Sequence, residues 1–195
     1  MLHPHTELRF VSPEIGHGVF ATQDIPKGTI TWVRDELDRV FVPSEIQKLS
    51  PPNLENLLKY TYRDKNGDYF FCWDLTRYIN HSYRPNSMLT AQGFEIAIRD
   101  IKEGDEITND YGTLNIIEPF ICANGPHQRE SVKPDDLTRF FKDWDELINS
   151  ALKLQSFVPQ PLRNFLTLEQ NENLRKIQLG LMQNPSVLEN YFSDK

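Results

Sequence analysis

The residues of this chain whose types could do chemistry fall in three short stretches. Asn80 and His81 lie in RYINHSYRPN, from Arg77 to Asn86, and Tyr111 lies in the later run NDYG, from Asn109 to Gly112. An asparagine amide carries two donors and an acceptor, which suits reading the amino-acid-like end of a ligand. Pro85 fixes a turn just after it. The third stretch, Gly16-His17-Gly18, sets two residues without Cβ around one side chain, so its backbone can approach a ligand closely or simply turn between strands. It is not a dinucleotide fingerprint, because no third glycine follows and no long helix opens there. His81 with Asp110 could serve as the base of a hydrolase. No nucleophile accompanies them: there is no Gly-x-Ser-x-Gly elbow, and Cys72 sits in an apolar strand-like run, the setting of a buried, inert thiol. Tyr111 at the end of Glu106-Ile107-Thr108-Asn109, beside a glycine, reads alone as a surface aromatic.

The elements that must position these residues are legible in outline. Asp24-Ile25-Pro26-Lys27-Gly28 is a turn leading into a strand over 29–33. Asn66-Gly67, between Tyr60-Thr61-Tyr62 and the run 69–73, is a hairpin signal. Gln92-Gly93 separates Met88-Leu89-Thr90 from the strand 94–98 in the same way. One helix interrupts this pattern, with Asn53 as its expected cap and Leu54, Leu57 and Leu58 at helical spacing. Near residue 130 the period changes. Leu137, Phe140, Phe141, Trp144, Leu147, Ile148, Ala151 and Leu152 predict an amphipathic helix capped by Asp135 or Asp136 and broken by Pro159 and Pro161. Leu174, Ile177 and Leu181 predict another, ended by Asn184-Pro185. Ser186 and Glu189 suit a capping box for a last short one. The fold class is α+β and β-dominated: several small sheets over 1–130, then a helical C-terminal extension over 131–195 packed on them.

The chain has 195 residues and a net charge of −7, with 38% hydrophobic and 25% charged residues. That is an ordinary globular composition, and its acidity disfavours a phosphate backbone as partner while suiting a basic peptide. Two cysteines, Cys72 and Cys122, cannot build a disulfide framework or a Cys-only zinc site. MLHPHTELRF has no apolar signal-peptide core, and no apolar run is long enough to span a membrane. The expectation is a cytoplasmic protein that binds neither nucleic acid nor membrane.

Taken together and in order, GHGVFA (Gly16 to Ala21), DIPKGT (Asp24 to Thr29), RYINHSYRPN and AIRDIKEGDEITNDYG (Ala97 to Gly112) resemble the signature segments of the SET-domain protein lysine methyltransferases. The resemblance spans roughly residues 6 to 120. It implies a SET fold in which the Asn80 and Tyr111 segments meet as a pseudoknot. It implies S-adenosyl-L-methionine as cofactor, held by the backbone around Gly16, His17 and Gly18, by Asn80 and His81, and by Tyr69, Arg77 and Tyr111 around the pocket. Tyr111 matches the catalytic tyrosine at the inner end of a lysine channel, and the substrate would be a lysine-containing protein or peptide. A non-catalytic SET-like module that binds protein through the same groove is the alternative.

The chemistry suits these residue types. Neutralising a lysine of pKa ~10.4 at pH 7 costs about 4.6 kcal/mol. A neighbouring sulfonium and desolvation in an aromatic channel both disfavour the ammonium form, so no dedicated base or metal is required. What remains is alignment. Departures from the family's pattern are equally specific. Many members carry a zinc-binding, cysteine-rich tail and a cysteine in the central motif. Here Tyr83 follows Asn80-His81-Ser82, and after Cys122 the expected cysteines fall near Asn124 and near Gln128 or Arg129. A zinc-free form follows, with the helices after residue 135 as the expected substitute for the lid. Leu89 stands where some relatives carry a channel tyrosine, which leaves the degree of methylation open.

Overall fold

Short β-branched and aromatic runs between turn residues become ten strands among the described residues, and the later apolar stripes become helices. The computed structural model describes residues 1–122 and 129–193; the positions near Asn124 and Gln128 lie outside the described residues. In chain order the elements are β1 (Thr6–Ser12), β2 (Gly16–Ala21), β3 (Ile30–Val33), β4 (Arg39–Phe41), α1 (Pro43–Ile46), α2 (Pro51–Tyr60), β5 (Thr61–Arg63), β6 (Tyr69–Phe71), β7 (Asn80–His81), β8 (Ser87–Leu89), β9 (Phe94–Ala97), β10 (Glu106–Asn109), α3 (Asp136–Leu152) and α4 (Leu168–Gln178).

The strands form three small sheets, ordered β1-β2-β10-β7, β3-β9-β8 and β4-β6-β5. Both hairpins expected from Asn66-Gly67 and Gln92-Gly93 are present, with Tyr62 opposite Phe70 and Met88 opposite Ile96. Pairing between chain-distant segments closes the rest: β3 pairs antiparallel with β9, and β10 builds the first sheet. There β10 runs antiparallel to β2, with Ile107 opposite Val19, and parallel to β7, with Thr108 opposite Asn80 and Asn109 opposite His81.

The β3-β9-β8 sheet is buried on both faces. Ile30, Met88, Phe94 and Ile96 pack with Leu137, Trp144, Ile148 and Leu152 of α3 and with Leu174 of α4. The opposite face turns Trp32, Leu89 and Ala97 toward Val19, Ile79 and Ile107. Alternation along β8 and β9, and a register shift between Ile30 and Trp32 in β3, separate helix-facing from site-facing residues. Stripping the helices would expose Ile30, Val33, Met88, Phe94 and Ile96. At ~1.5–3 kcal/mol per side chain that costs on the order of 10 kcal/mol, comparable with the whole stability of a domain. The helical region is part of the core, not a detachable cover.

Several boundaries differ from the sequence reading. Helix α2 begins at Pro51 with Ser50 at its N-cap, so Asn53 lies inside it; proline is tolerated in the first turn because those N–H groups have no helical partner anyway. Helix α4 ends at Gln178, well before Asn184, and Leu181 is exposed. Its start is a capping box in which Thr167 accepts from Gln170 N. Cys72 and Trp73 fall beyond β6.

Candidate active site

The parallel pairing of β7 with β10 brings Asn80, His81 and Tyr111 together from segments thirty residues apart. Tyr111 opens a single helical turn, Tyr111–Thr113, which Asp110 caps by accepting from Gly112 N at 3.0 Å. Tyr111 is pinned at both ends. Its backbone N–H donates to His81 Nδ1 at 3.1 Å, and its hydroxyl donates to the Ile79 carbonyl at 2.6 Å. With its proton committed to Ile79, the phenol presents lone pairs to anything beside it. Burial and the charges of Glu95 and Glu106 push its pKa well up, so it stays protonated.

The same contacts remove the hydrolase reading. His81 Nδ1 accepts a backbone N–H, and Asp110 Oδ1 lies 3.7 Å away, so Asp110 does not receive an Nδ1 proton as an orienting acid would. Cys72 is buried, and desolvation pushes its thiol far up, as an inert thiol requires.

Tyr111 opens onto a cleft of about 550 Å³, within the usual range for small-ligand sites. Tyr69 and Arg77 line it, as do the site-facing Trp32, Leu89, Glu95 and Asn109. Arg77 is braced by donation from Nη1 to the Trp73 carbonyl at 2.6 Å and lies over the Phe71 and Tyr78 rings. The outer wall comes from Leu114 to Phe120. No residue of α3 or α4 lines the cleft, so the helices support the site from behind and the segment after Tyr111 covers it.

Gly16, His17, Gly18, Asn80 and His81 do not line this cleft; they form a neighbouring group along β2, β7 and β10. His17 is exposed, its ring against Phe10 and Tyr78. Asn80 Nδ2 donates to the His17 carbonyl at 3.0 Å and to Glu106 Oε1 at 2.7 Å. A Cβ on Gly18 would run into that Glu106 carboxylate and reach Asn80 Nδ2 at 3.0 Å. Gly18 thus leaves room for the Glu106 carboxylate and the Asn80 amide in their present positions. Both Asn80 N–H groups being taken, this corner offers the His17 carbonyl, the Glu106 carboxylate and the Asn80 oxygen. That all-acceptor set fits the ammonium end of an amino-acid-like cofactor. Sequence reasoning missed Glu106, and its only signal was an acidic residue opening the strand that carries Tyr111.

The turn that begins at Tyr111 is fastened to α3 by a cation from the chain itself. Arg129 Nη2 meets Asp110 Oδ1 at 2.6 Å, Nη1 lies 3.6 Å from Asp136, and the guanidinium sits 4.9 Å from the Tyr83 ring, 5.3 Å from Phe140 and 5.8 Å from Trp144. Tyr83 and Arg129 occupy positions where the family resemblance would put zinc ligands. Gly112 admits this packing, since a Cβ there would reach Trp144 at 3.0 Å and Asp136 at 3.1 Å.

Small sheets, one of them holding a parallel pairing beside a pinned tyrosine, define a β-dominated α+β protein with a ligand cleft. Residues 16–112 match the SET domain family model, and the chain belongs to the SET-domain family. Among solved structures, one from Plasmodium falciparum, of a proposed histone methyltransferase, is similar at 21% identity and a TM-score of 0.40, covering 56% of this chain and 95% of that one. No curated protein matches the chain. The SET domain makes a methyltransferase the class of enzyme to consider.

Proposed function

We propose that this protein is an S-adenosyl-L-methionine-dependent protein lysine N-methyltransferase. The observation that carries the reading is Tyr111, pinned by Ile79 and His81 where the aromatic cleft meets the acceptor corner of His17, Asn80 and Glu106. When bound, the cofactor would supply a methyl group on a cationic sulfur. Gly16, His17, Gly18, Asn80 and His81 would hold its amino-acid and adenine parts, and Tyr69 and Arg77 would complete the pocket from the cleft side. The Tyr111 oxygen would accept an N–H from the substrate amine and so orient the nitrogen's lone pair. Trp32, Tyr62 and Phe120 would exclude water around the alkyl chain, which favours the neutral amine by desolvation.

The acidic surface, −7 overall, suits a basic substrate segment, and the expected setting is cytoplasmic. The test is incubation of the full chain with a proteome lysate and isotopically labelled cofactor, followed by mass spectrometry of the modified sites. Label on lysine is the expected result. Folded protein that binds neither S-adenosylmethionine nor S-adenosylhomocysteine by calorimetry would sink the catalytic reading in favour of a protein-binding module.

A further inference from the structure

The cleft holds a buried acid that methyl transfer as outlined above does not use. In register, Glu95 stands opposite Trp32 on one side and Leu89 on the other, so it shares their face and points to the cleft rather than to the helices. It is 6% exposed. Its oxygens accept from Asn109 Nδ2 at 2.7 Å and Ser87 Oγ at 3.1 Å. No ion pair reaches it among the described residues. Asn109, 1% exposed and also lining the cleft, keeps its Oδ1 buried without a hydrogen-bond partner among the described residues. With Glu95 ionised, the 2.7 Å contact assigns Nδ2 to the carboxylate side and turns Oδ1 away from it. An unpaired buried carboxylate beside an unsatisfied buried acceptor is costly to maintain and is completed by a donor-rich cation.

We infer that Glu95, with Asn109, receives the substrate's ammonium group at the inner end of the Tyr111 cleft and takes its proton. The inference rests on the proposed function and names the substrate class: an alkylammonium carrying at least two N–H bonds. In the step, an N–H bond of the ammonium breaks, its electron pair remains on nitrogen as the lone pair, and the proton moves to a Glu95 oxygen, giving neutral amine and carboxylic acid. The lone pair is then available to a sulfonium methyl donor, and Glu95 returns its proton to water once the product has left the cleft.

Desolvation raises the Glu95 carboxyl to about 7, a value suited to accepting a proton near neutral pH. The titratable groups whose charge bears on it are Tyr62, Cys72, Tyr111 and Asp74. Burial pushes the two phenols and the thiol up, so none of those three ionises near pH 7.

The probe is n-butylammonium, with no methyl donor present, on the full chain. Titration of 13C-labelled glutamate by NMR should show saturating butylammonium moving the Glu95 midpoint down by roughly one unit or more. E95Q should bind butylammonium at least tenfold more weakly while binding S-adenosylhomocysteine within twofold of the parent. Glutamine preserves the local bonds, since its oxygen accepts from Asn109 and its amide donates to Ser87 Oγ. The wild-type titration decides the matter even if E95Q misfolds. An unmoved Glu95 midpoint, or equal butylammonium affinity in folded E95Q, overturns the inference. Lysine labelling together with either result leaves the proposed function standing, whereas Glu95-dependent amine binding without labelling leaves this inference standing alone.

Discussion

Arg129 Nη2 lies 2.6 Å from Asp110 Oδ1, and Asp110 is the residue that caps the turn beginning at Tyr111. The Arg129 guanidinium is thereby tied to the backbone that aims the tyrosine. Burial pushes the Asp110 carboxyl up, while Arg129 and the Gly112 N–H pull it down. R129A leaves Asp110 buried and unpaired, which should cost about 3 kcal/mol in urea unfolding. A carboxyl raised in the folded state loses stability as pH rises through its folded pKa, so the deficit should be larger at about pH 8 than at about pH 4. Adding D110N should recover part of it, and strictly additive effects would show that the two side chains are not coupled.

Y111F removes the hydroxyl that donates to Ile79 and that would accept from the amine. Methyl transfer should fall on the order of a hundredfold. Affinity for S-adenosylhomocysteine should stay within a few-fold, because the acceptor corner is untouched. Single-turnover rates and calorimetry measure the two separately, and an unchanged rate contradicts the role.

Glu95 also leaves a thermodynamic trace that needs no substrate. Its folded pKa is raised from 4.5 to about 7. The stability it permits is fully present below pH 4.5 and is lost as pH rises through 7, by about 3 kcal/mol in all. E95Q carries no such charge, so its stability relative to the parent should rise between pH 5 and pH 8. Parallel stability–pH curves for the two proteins would show that the carboxyl is not raised.

G18A places a Cβ against the Glu106 carboxylate and Asn80. Those side chains must move, and the acceptor corner opens. S-adenosylhomocysteine binding should weaken at least tenfold with the fold retained by circular dichroism. Unchanged binding would mean that this corner does not hold the cofactor.

Much of the fold could be read locally. The hairpins at Asn66-Gly67 and Gln92-Gly93 and the stripe from Leu137 to Leu152 depend on neighbouring residues and on period alone, and they are present. Element ends were less legible. Ser50 precedes two prolines that look like breakers yet begin α2, and Leu181 continues the apolar spacing of α4 without anything to pack against. At the site, Tyr111 and Asn80 stood out by type and motif. Glu95 did not, because in the sequence FEIAI a lone acid reads as the polar half of an alternating strand. Its face is buried only because Trp32, Leu89 and Asn109 arrive from three other strands.

The sequence by itself determined the family, the β-to-helix order and the identities of Asn80 and Tyr111, since these rest on residue types and short spacings. Tertiary structure alone decided where charge lies around them. Glu106 meets Gly18 and Asn80, Arg129 bridges Asp110 and Asp136, and Glu95 is sealed beside Asn109. Each depends on long-range pairing of β10 with β2 and β7, or of β9 with β3, and on the desolvation that pairing imposes. Distance along the chain carries no information about either.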